Sequence, residues 1–244
     1  MRALSAAELL NVWERGLGQA PPVRALTLLG AACPEVAPES LARLSVGDRD
    51  ARLMTLRKWT FGSHLVCVAT CAGCGERLEL SFAADELFAN EEVLSTENFS
   101  LTIDEYELSF RLPNSLDLAE LVSLKDPDAG RTLLLDRCLS KAERDGKTIS
   151  ITELPAFVLE SLVTRMGEID KTGNLQLLLD CPQCAQRSQA IFDIESFFWK
   201  EINAWAIRML REVHKLATAY GWRELDILNM SAGRRQVYLN LIGV

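Results

Sequence analysis

The spacing of apolar residues along the chain changes twice, and these changes divide it into regions. Through residue 60 the spacing is helical. Leu9, Leu10, Trp13 and Leu17 share one face, behind Ser5-Ala6-Ala7-Glu8, where the serine accepts from the amide three residues on and the glutamate reaches back. Pro21-Pro22 ends that helix and suits the first turn of a second, which carries Val23, Leu26 and Leu29. A third helix is expected from about Asp48 to Trp59, with Leu53, Leu56 and Trp59 on one side. The charged run Asp48-Arg49-Asp50-Ala51-Arg52 at its start reads as a solvated face, with a partner contact as the alternative.

From Phe61 the period becomes two. His64–Thr70 is rich in β-branched residues and Arg77–Phe82 alternates cleanly, so the two read as a hairpin. Between them lies Cys71-Ala72-Gly73-Cys74, followed by Gly75. Gly73 and Gly75 are expected to supply the positive φ that turns backbone amides toward sulfur. The pattern recurs at Leu175–Asp180 and Gln189–Asp193, which flank Cys181-Pro182-Gln183-Cys184.

Between the hairpins, Phe99–Ile103 and Tyr106–Leu112 pair across Asp104-Glu105. Three helices are then expected: one capped by Asn114 or Ser115, one opened by Asp126-Pro127 and ending at Asp145-Gly146, and one from Leu154-Pro155 to Gly167. After the second hairpin, Asp193 caps the longest helix, Ile194 to Tyr220. Its stripe is Phe198, Ile202, Trp205, Met209, Val213, Leu216 and Tyr220, and Gly221 closes it. Two short helices follow, the last capped by Ser231.

The fold class is therefore α+β and helix-rich. Its expected organisation is a helical region 1–60, a discontinuous zinc-ribbon core 61–84 plus 174–194, an insertion 85–173 and a helical region 195–244. Composition adds two exclusions. A net charge of −8 argues against a general binder of nucleic acid, because phosphate affinity rests on Lys and Arg. No apolar run approaches the roughly 20 residues of a membrane span, and the first ten residues do not resemble a signal peptide, so a cytoplasmic site is expected.

Seven cysteines in such a chain point to metal binding rather than to disulfides. Cys71, Cys74, Cys181 and Cys184 offer four thiolates, the set one tetrahedral zinc takes, and leave no open position for catalysis. The metal is expected to be structural Zn²⁺, with iron the other ion this set would accept. A redox dithiol is disfavoured, since such a motif should open a helix and both of these lie between strands. Cys33, Cys67 and Cys138 read as buried thiols. The two histidines, His64 and His214, stand apart from any nucleophile or metal-ligand pattern, and the chain is read as a non-enzyme without a small-molecule substrate.

Several stretches taken together resemble the phage T4-like baseplate hub assembly proteins, including relatives from bacterial contractile-injection and phage-tail clusters. They are Phe110-Arg111-Leu112-Pro113-Asn114-Ser115-Leu116-Asp117-Leu118, Val46-Gly47-Asp48-Arg49-Asp50-Ala51-Arg52-Leu53, the second cysteine pair, Phe192–Trp199 and the tail from Glu212 to Leu239. Relatives often carry proline where this chain has Ala72-Gly73. The resemblance implies a factor, an assembly chaperone or a structural part, that builds a contractile baseplate by binding hub or spike proteins. No catalytic residue is carried over. Partner contacts are expected at exposed aromatics and arginines, the residues enriched at interface hot spots: Trp222, Arg223, Arg234, Arg235 and Tyr238, with Arg49 and Arg52 as weaker candidates. The alternative is a zinc-ribbon nucleic-acid-binding or transcription-associated module. Separately, Gly221–Leu241 has the layout of a helix-turn-helix that would present Arg234 and Arg235 to DNA, against packing of these helices on the long one.

Overall fold

The computed structural model describes residues 1–87 and 98–243. Part of the expected insertion, residues 88–97, lies outside them.

Four helices build the first core. They are α1 (Ala6–Gly16), α2 (Pro21–Ala32), α4 (Val46–Phe61) and α9 (Ile194–Tyr220), with the short α3 (Pro38–Ala42) beside them. Leu9, Val12, Leu28, Leu29, Leu53 and Leu56 bury against Phe198 and Ile202 of α9. At 27 residues α9 is about 40 Å long, so one helix serves two cores. Its C-terminal half packs Met209, Val213 and Leu216 against Leu10, and against Ile227 and Leu239 of α10 (Glu224–Leu228) and α11 (Ala232–Leu241). The N- and C-terminal helical regions therefore share their interior.

Local chemistry accounts for the helix boundaries. Ser5 and Glu8 form the expected capping box on α1, Asp193 caps α9 through the Ser196 amide, and Gly221 ends α9 in the left-handed region at φ 67°.

Among the described residues there are two two-stranded antiparallel hairpins and one four-stranded antiparallel sheet. The hairpins are β1 (His64–Thr70) with β2 (Arg77–Ala83), and β7 (Gln176–Asp180) with β8 (Arg187–Ile191). Between β2 and the sheet comes the short α5 (Ala84–Leu87). The sheet runs β3 (Phe99–Ile103), β4 (Tyr106–Phe110), β5 (Leu139–Arg144), β6 (Lys147–Thr148). It packs Tyr106, Leu108 and Phe110 on Leu135 and Cys138 of α7 (Pro127–Cys138) and Val158 and Leu162 of α8 (Ala156–Ile169). A shorter helix, α6 (Ser115–Leu121), precedes α7.

Three expectations are corrected. The helix opened by Asp126-Pro127 stops at Cys138 and not at Asp145-Gly146. Residues 139–144 form β5, paired with β4, and Asp145 (φ 49°) and Gly146 (φ 73°) are the turn into β6. Trp59 is 48% exposed, and Met54 and Arg57 occupy the inner face of α4. The charged run at the start of α4 is not a solvated face: Asp48 is 8% exposed and Arg49 3%, and Asp50 and Arg52 are part-buried.

That burial marks where the insertion is tied to the helices. Ser45 bridges to Asn114, the Val46 amide donates to Pro113 O at 3.0 Å, and the Gly47 amide donates to Asp170 Oδ2 at 2.9 Å. Asp170, just past α8, thus supplies an acceptor to an otherwise unpaired amide in the first turn of α4. A Cβ on Gly47 would fall 1.7 Å from Asp170 Oδ1, so the contact needs glycine.

Candidate functional site: a four-cysteine centre

The tips of the two hairpins meet. Each tip is a C-x-x-C turn of the same build. The Cys71 amide donates to Glu76 O at 2.8 Å and the Gly75 amide to Cys71 O at 3.0 Å. In the second tip, Cys181 donates to Gln186 O at 3.1 Å and Ala185 to Cys181 O at 2.9 Å. The residue after the second cysteine must adopt positive φ in both: Gly75 at 76°, Ala185 at 57°. Gly73 has a different task from the one expected. A Cβ there would meet Gln186 Oε1 at 1.7 Å, so its bareness admits the side chain of the opposite turn.

The four sulfurs, Cys71, Cys74, Cys181 and Cys184, lie within 4.8 Å of one another. Across the turns, Cys71 Sγ is 3.7 Å from Cys184 Sγ and Cys74 Sγ is 3.6 Å from Cys181 Sγ. A tetrahedron with about 2.3 Å metal–sulfur bonds has edges of about 3.8 Å, so the set fits a single metal such as zinc. Cys71 and Cys181 are buried, packed with Leu78 and Leu179, while Cys74 and Cys184 face outward.

The thiols are electrostatically unequal. Amides of Cys74 and Gly73 donate to Cys71 and pull its pKa well below the ordinary thiol value. For Cys74 the Glu76 amide pulls downward, but burial and the neighbouring sulfurs outweigh it and raise the thiol. Four thiolates this close repel one another, and a bound dication offsets that repulsion, so metal capture here must release protons.

The remaining predicted residues separate into two groups. Trp222 and Tyr238 form an aromatic cluster with Tyr220: Trp222 stacks on Tyr220 at 4.4 Å and meets Tyr238 edge-on at 4.8 Å, and the Arg234 guanidinium lies over Tyr238 at 5.8 Å. Arg223 is exposed and pairs with Asp226 at 2.9 Å. Leu225 and Val237, both 58% exposed, extend this surface.

Arg49 and Arg235 are interior instead. Arg235 is 5% exposed and pairs with Glu212 at 3.2 Å, so it cannot meet a partner or DNA as expected of it. Arg49 pairs with Asp50 at 2.8 Å and with Glu195 at 3.5 Å. Arg52, part-exposed, donates to Asp48 O at 2.8 Å. Cys33 and Cys138 are buried as expected, Cys67 only partly, and burial pushes the Cys138 thiol up to about 12.

A family model described as T4 bacteriophage base plate protein matches residues 25–199. The chain belongs to this family. The match takes in both cysteine turns, the tie between α4 and the insertion, and α9 as far as Trp199. The aromatic cluster around Trp222 lies beyond it. No curated protein and no solved structure matches the chain. Among the described residues of this baseplate protein, no helix is long and apolar enough to cross a membrane.

The baseplate stretch Phe110–Leu118 also finds its physical role. Asp117 is fully buried and accepts from Arg111 Nη1 (2.6 Å) and Nη2 (2.8 Å), Arg137 Nε (2.9 Å) and the Asn114 amide (3.0 Å). Burial alone would raise its pKa. These donors reverse that and hold it below the ordinary carboxylate value. Sequence reasoning missed this carboxylate, as it missed Asp170 and Glu195. The available signal was Asn114 followed three residues later by an acid, a capping box.

Proposed function

We propose that this protein is a non-enzymatic assembly factor or structural component of a contractile-tail baseplate. It acts by binding hub or spike proteins where tails are assembled, in the cytoplasm of the producing cell. The family match over residues 25–199 is the observation that carries this reading. On this reading the ion at Cys71, Cys74, Cys181 and Cys184 is structural zinc, because four thiolates leave no position for substrate. Zinc supplies the link between the two hairpins, which then act as one discontinuous zinc ribbon, 61–84 with 174–194. The helical regions 1–60 and 195–244 and the insertion 85–173 are the units it joins.

The partner surface we favour is the C-terminal aromatic cluster. Trp222, Tyr238 and Arg234 offer part-exposed aromatic area with a guanidinium beside it, and exposed Leu225 and Val237 flank them.

The test is genetic and biochemical together. Particles made without the gene should lack a completed baseplate, and supplying the protein in trans should restore it. The pair Trp222→Ala with Arg234→Glu should fail to restore it while remaining folded by circular dichroism. Normal baseplates without the gene would overturn the reading, and full rescue by the folded double variant would remove the surface. Arg235 is left intact, since its ion pair with Glu212 is interior. For the alternative reading, a mobility-shift assay at roughly 50 mM salt should show no nucleic-acid binding by so acidic a chain.

A further inference from the structure

An open cavity of about 720 Å³ lies where the start of α4, the end of α8, the start of α9 and the α6–α7 face converge. Its floor is apolar, formed by Val46, Leu112, Leu118, Leu134, Val163 and Met166. One wall is not. Asp50, Asp170, Asp193 and Glu195 line it, against Arg49 within and Arg131 at the exposed rim.

Pairing along that wall is incomplete. Arg49 pairs with Asp50, and its Nη1, which makes no hydrogen bond, lies 3.5 Å from Glu195 Oε2. Asp170 uses Oδ2 on the Gly47 amide. Asp170 Oδ1 and Glu195 Oε1 are buried and accept no hydrogen bond, in side chains of residues only 6% and 7% exposed. Buried carboxylate oxygens are costly to leave unmatched. Burial also pushes Glu195 up to about 7 and Asp50 up to about 6, with Arg49 opposing both and neighbouring carboxylates reinforcing them. Four carboxyl groups thus line the wall beside two arginines.

We propose that this groove seats a segment of a partner protein whose apolar side chains cover the floor and whose arginine or lysine donates to Glu195 and the acidic wall around it. The sign of the wall excludes phosphate-bearing ligands. A divalent metal is a poorer occupant, because among the described residues the carboxylates do not converge as the four cysteines do. A guanidinium carries several donors in one plane and can serve two separated acceptors at once, while apolar neighbours on the same segment match the floor. The groove is distinct from the Trp222 surface and adds a second contact to the baseplate reading, without depending on it.

The probe is the end-blocked tripeptide leucyl-arginyl-leucine, titrated into the full chain and followed by NMR. Its uncharged citrulline analogue has the same shape. The arginine peptide should bind at least about tenfold more tightly than the citrulline one, equivalent to one modest charge-assisted contact. Glu195→Gln should erase most of that difference. Val163→Arg, at a 40% exposed position, should place a cation in the groove and weaken both peptides. Equal binding of the two peptides, no binding up to their solubility limit, or unchanged binding in Val163→Arg would overturn the proposal. Peptide binding and particle assembly are separate readouts, so either reading can fail alone.

Discussion

Single carboxylates in this protein meet opposite electrostatic fates. Asp117 and Glu195 are both buried, yet one is surrounded by donors and the other is not. Replacing Asp117 by Asn removes the charge that Arg111 and Arg137 share and leaves two guanidinium groups in partial burial. A loss of about 1–3 kcal/mol is expected by urea denaturation at pH 7. This is below the range for a fully buried pair, because both arginines are 34% exposed and water can take up their charge. Because Asp117 titrates below its unfolded value, its contribution is full above about pH 4 and fades as the solution is made more acidic. Glu195 has the reverse sign. Its folded pKa, about 7, lies above the ordinary 4.5, so the native state holds the proton more tightly than the unfolded chain. Stability from this group is present below pH 4.5 and is lost as pH rises through 7. Glu195→Gln should therefore be close to neutral at pH 5 and stabilising by about 1–2 kcal/mol at pH 8. A variant less stable than the parent at pH 8 would show that Arg49 needs this carboxylate more than burial penalises it.

Elements were legible where a local signal agreed with tertiary demand. The capping box at Ser5, the prolines opening α2 and α7, and the unbroken stripe of α9 gave boundaries the structure reproduces closely. Strand β5 was hidden because Leu139-Ser140-Lys141-Ala142-Glu143-Arg144 carries good helix formers, and only pairing with β4 makes it a strand. The Asp145-Gly146 turn was visible but equally suits a helix end. The four cysteines were found because ligand spacing is a local pattern. The tie between α4 and the insertion was not, since Gly47 and Asp170 are 123 residues apart and no local spacing pairs them, although Gly47 lies in a stretch that carries the family resemblance. Gly47→Ala tests that tie. Its Cβ must displace the Asp170 carboxylate and break the bond to the helix start, at an expected 1–3 kcal/mol, roughly the cost of an overpacked site plus a lost acceptor. Asp170→Ala should cost a similar amount. The double variant should cost much less than their sum, because both remove one contact; strict additivity in a double-mutant cycle would deny the coupling.

At the scale of the whole molecule, two clamps hold the insertion. One is the junction at α4, Asn114 and Asp170. The other is the cysteine centre, which joins the two ends of the 106 residues between Cys74 and Cys181. A loop of that length left unclosed gains about 4 kcal/mol of chain entropy, an upper limit here because the α4 junction restrains it as well. The clamps differ in what lies behind them. The hairpin tips have only a small apolar cluster, Leu78 and Leu179 with the inner cysteines. Leu65 and Phe82, at the open end of the first hairpin, join the first helical core, and the helices around α9 own two cores. Removing metal with a strong chelator should therefore melt the assembly unevenly. Hydrogen exchange should lose protection first toward the hairpin tips, in residues 68–79 and 178–189, while α9 and the α4 junction keep theirs. Cys71→Ser and Cys184→Ser should reproduce that pattern without chelator, and the partner binding proposed for α10 and α11 should weaken only as the hairpins open. Uniform loss of protection would instead make the cysteine centre the keystone of the entire fold. Binding lost with the hairpins still protected would make the centre itself an interface.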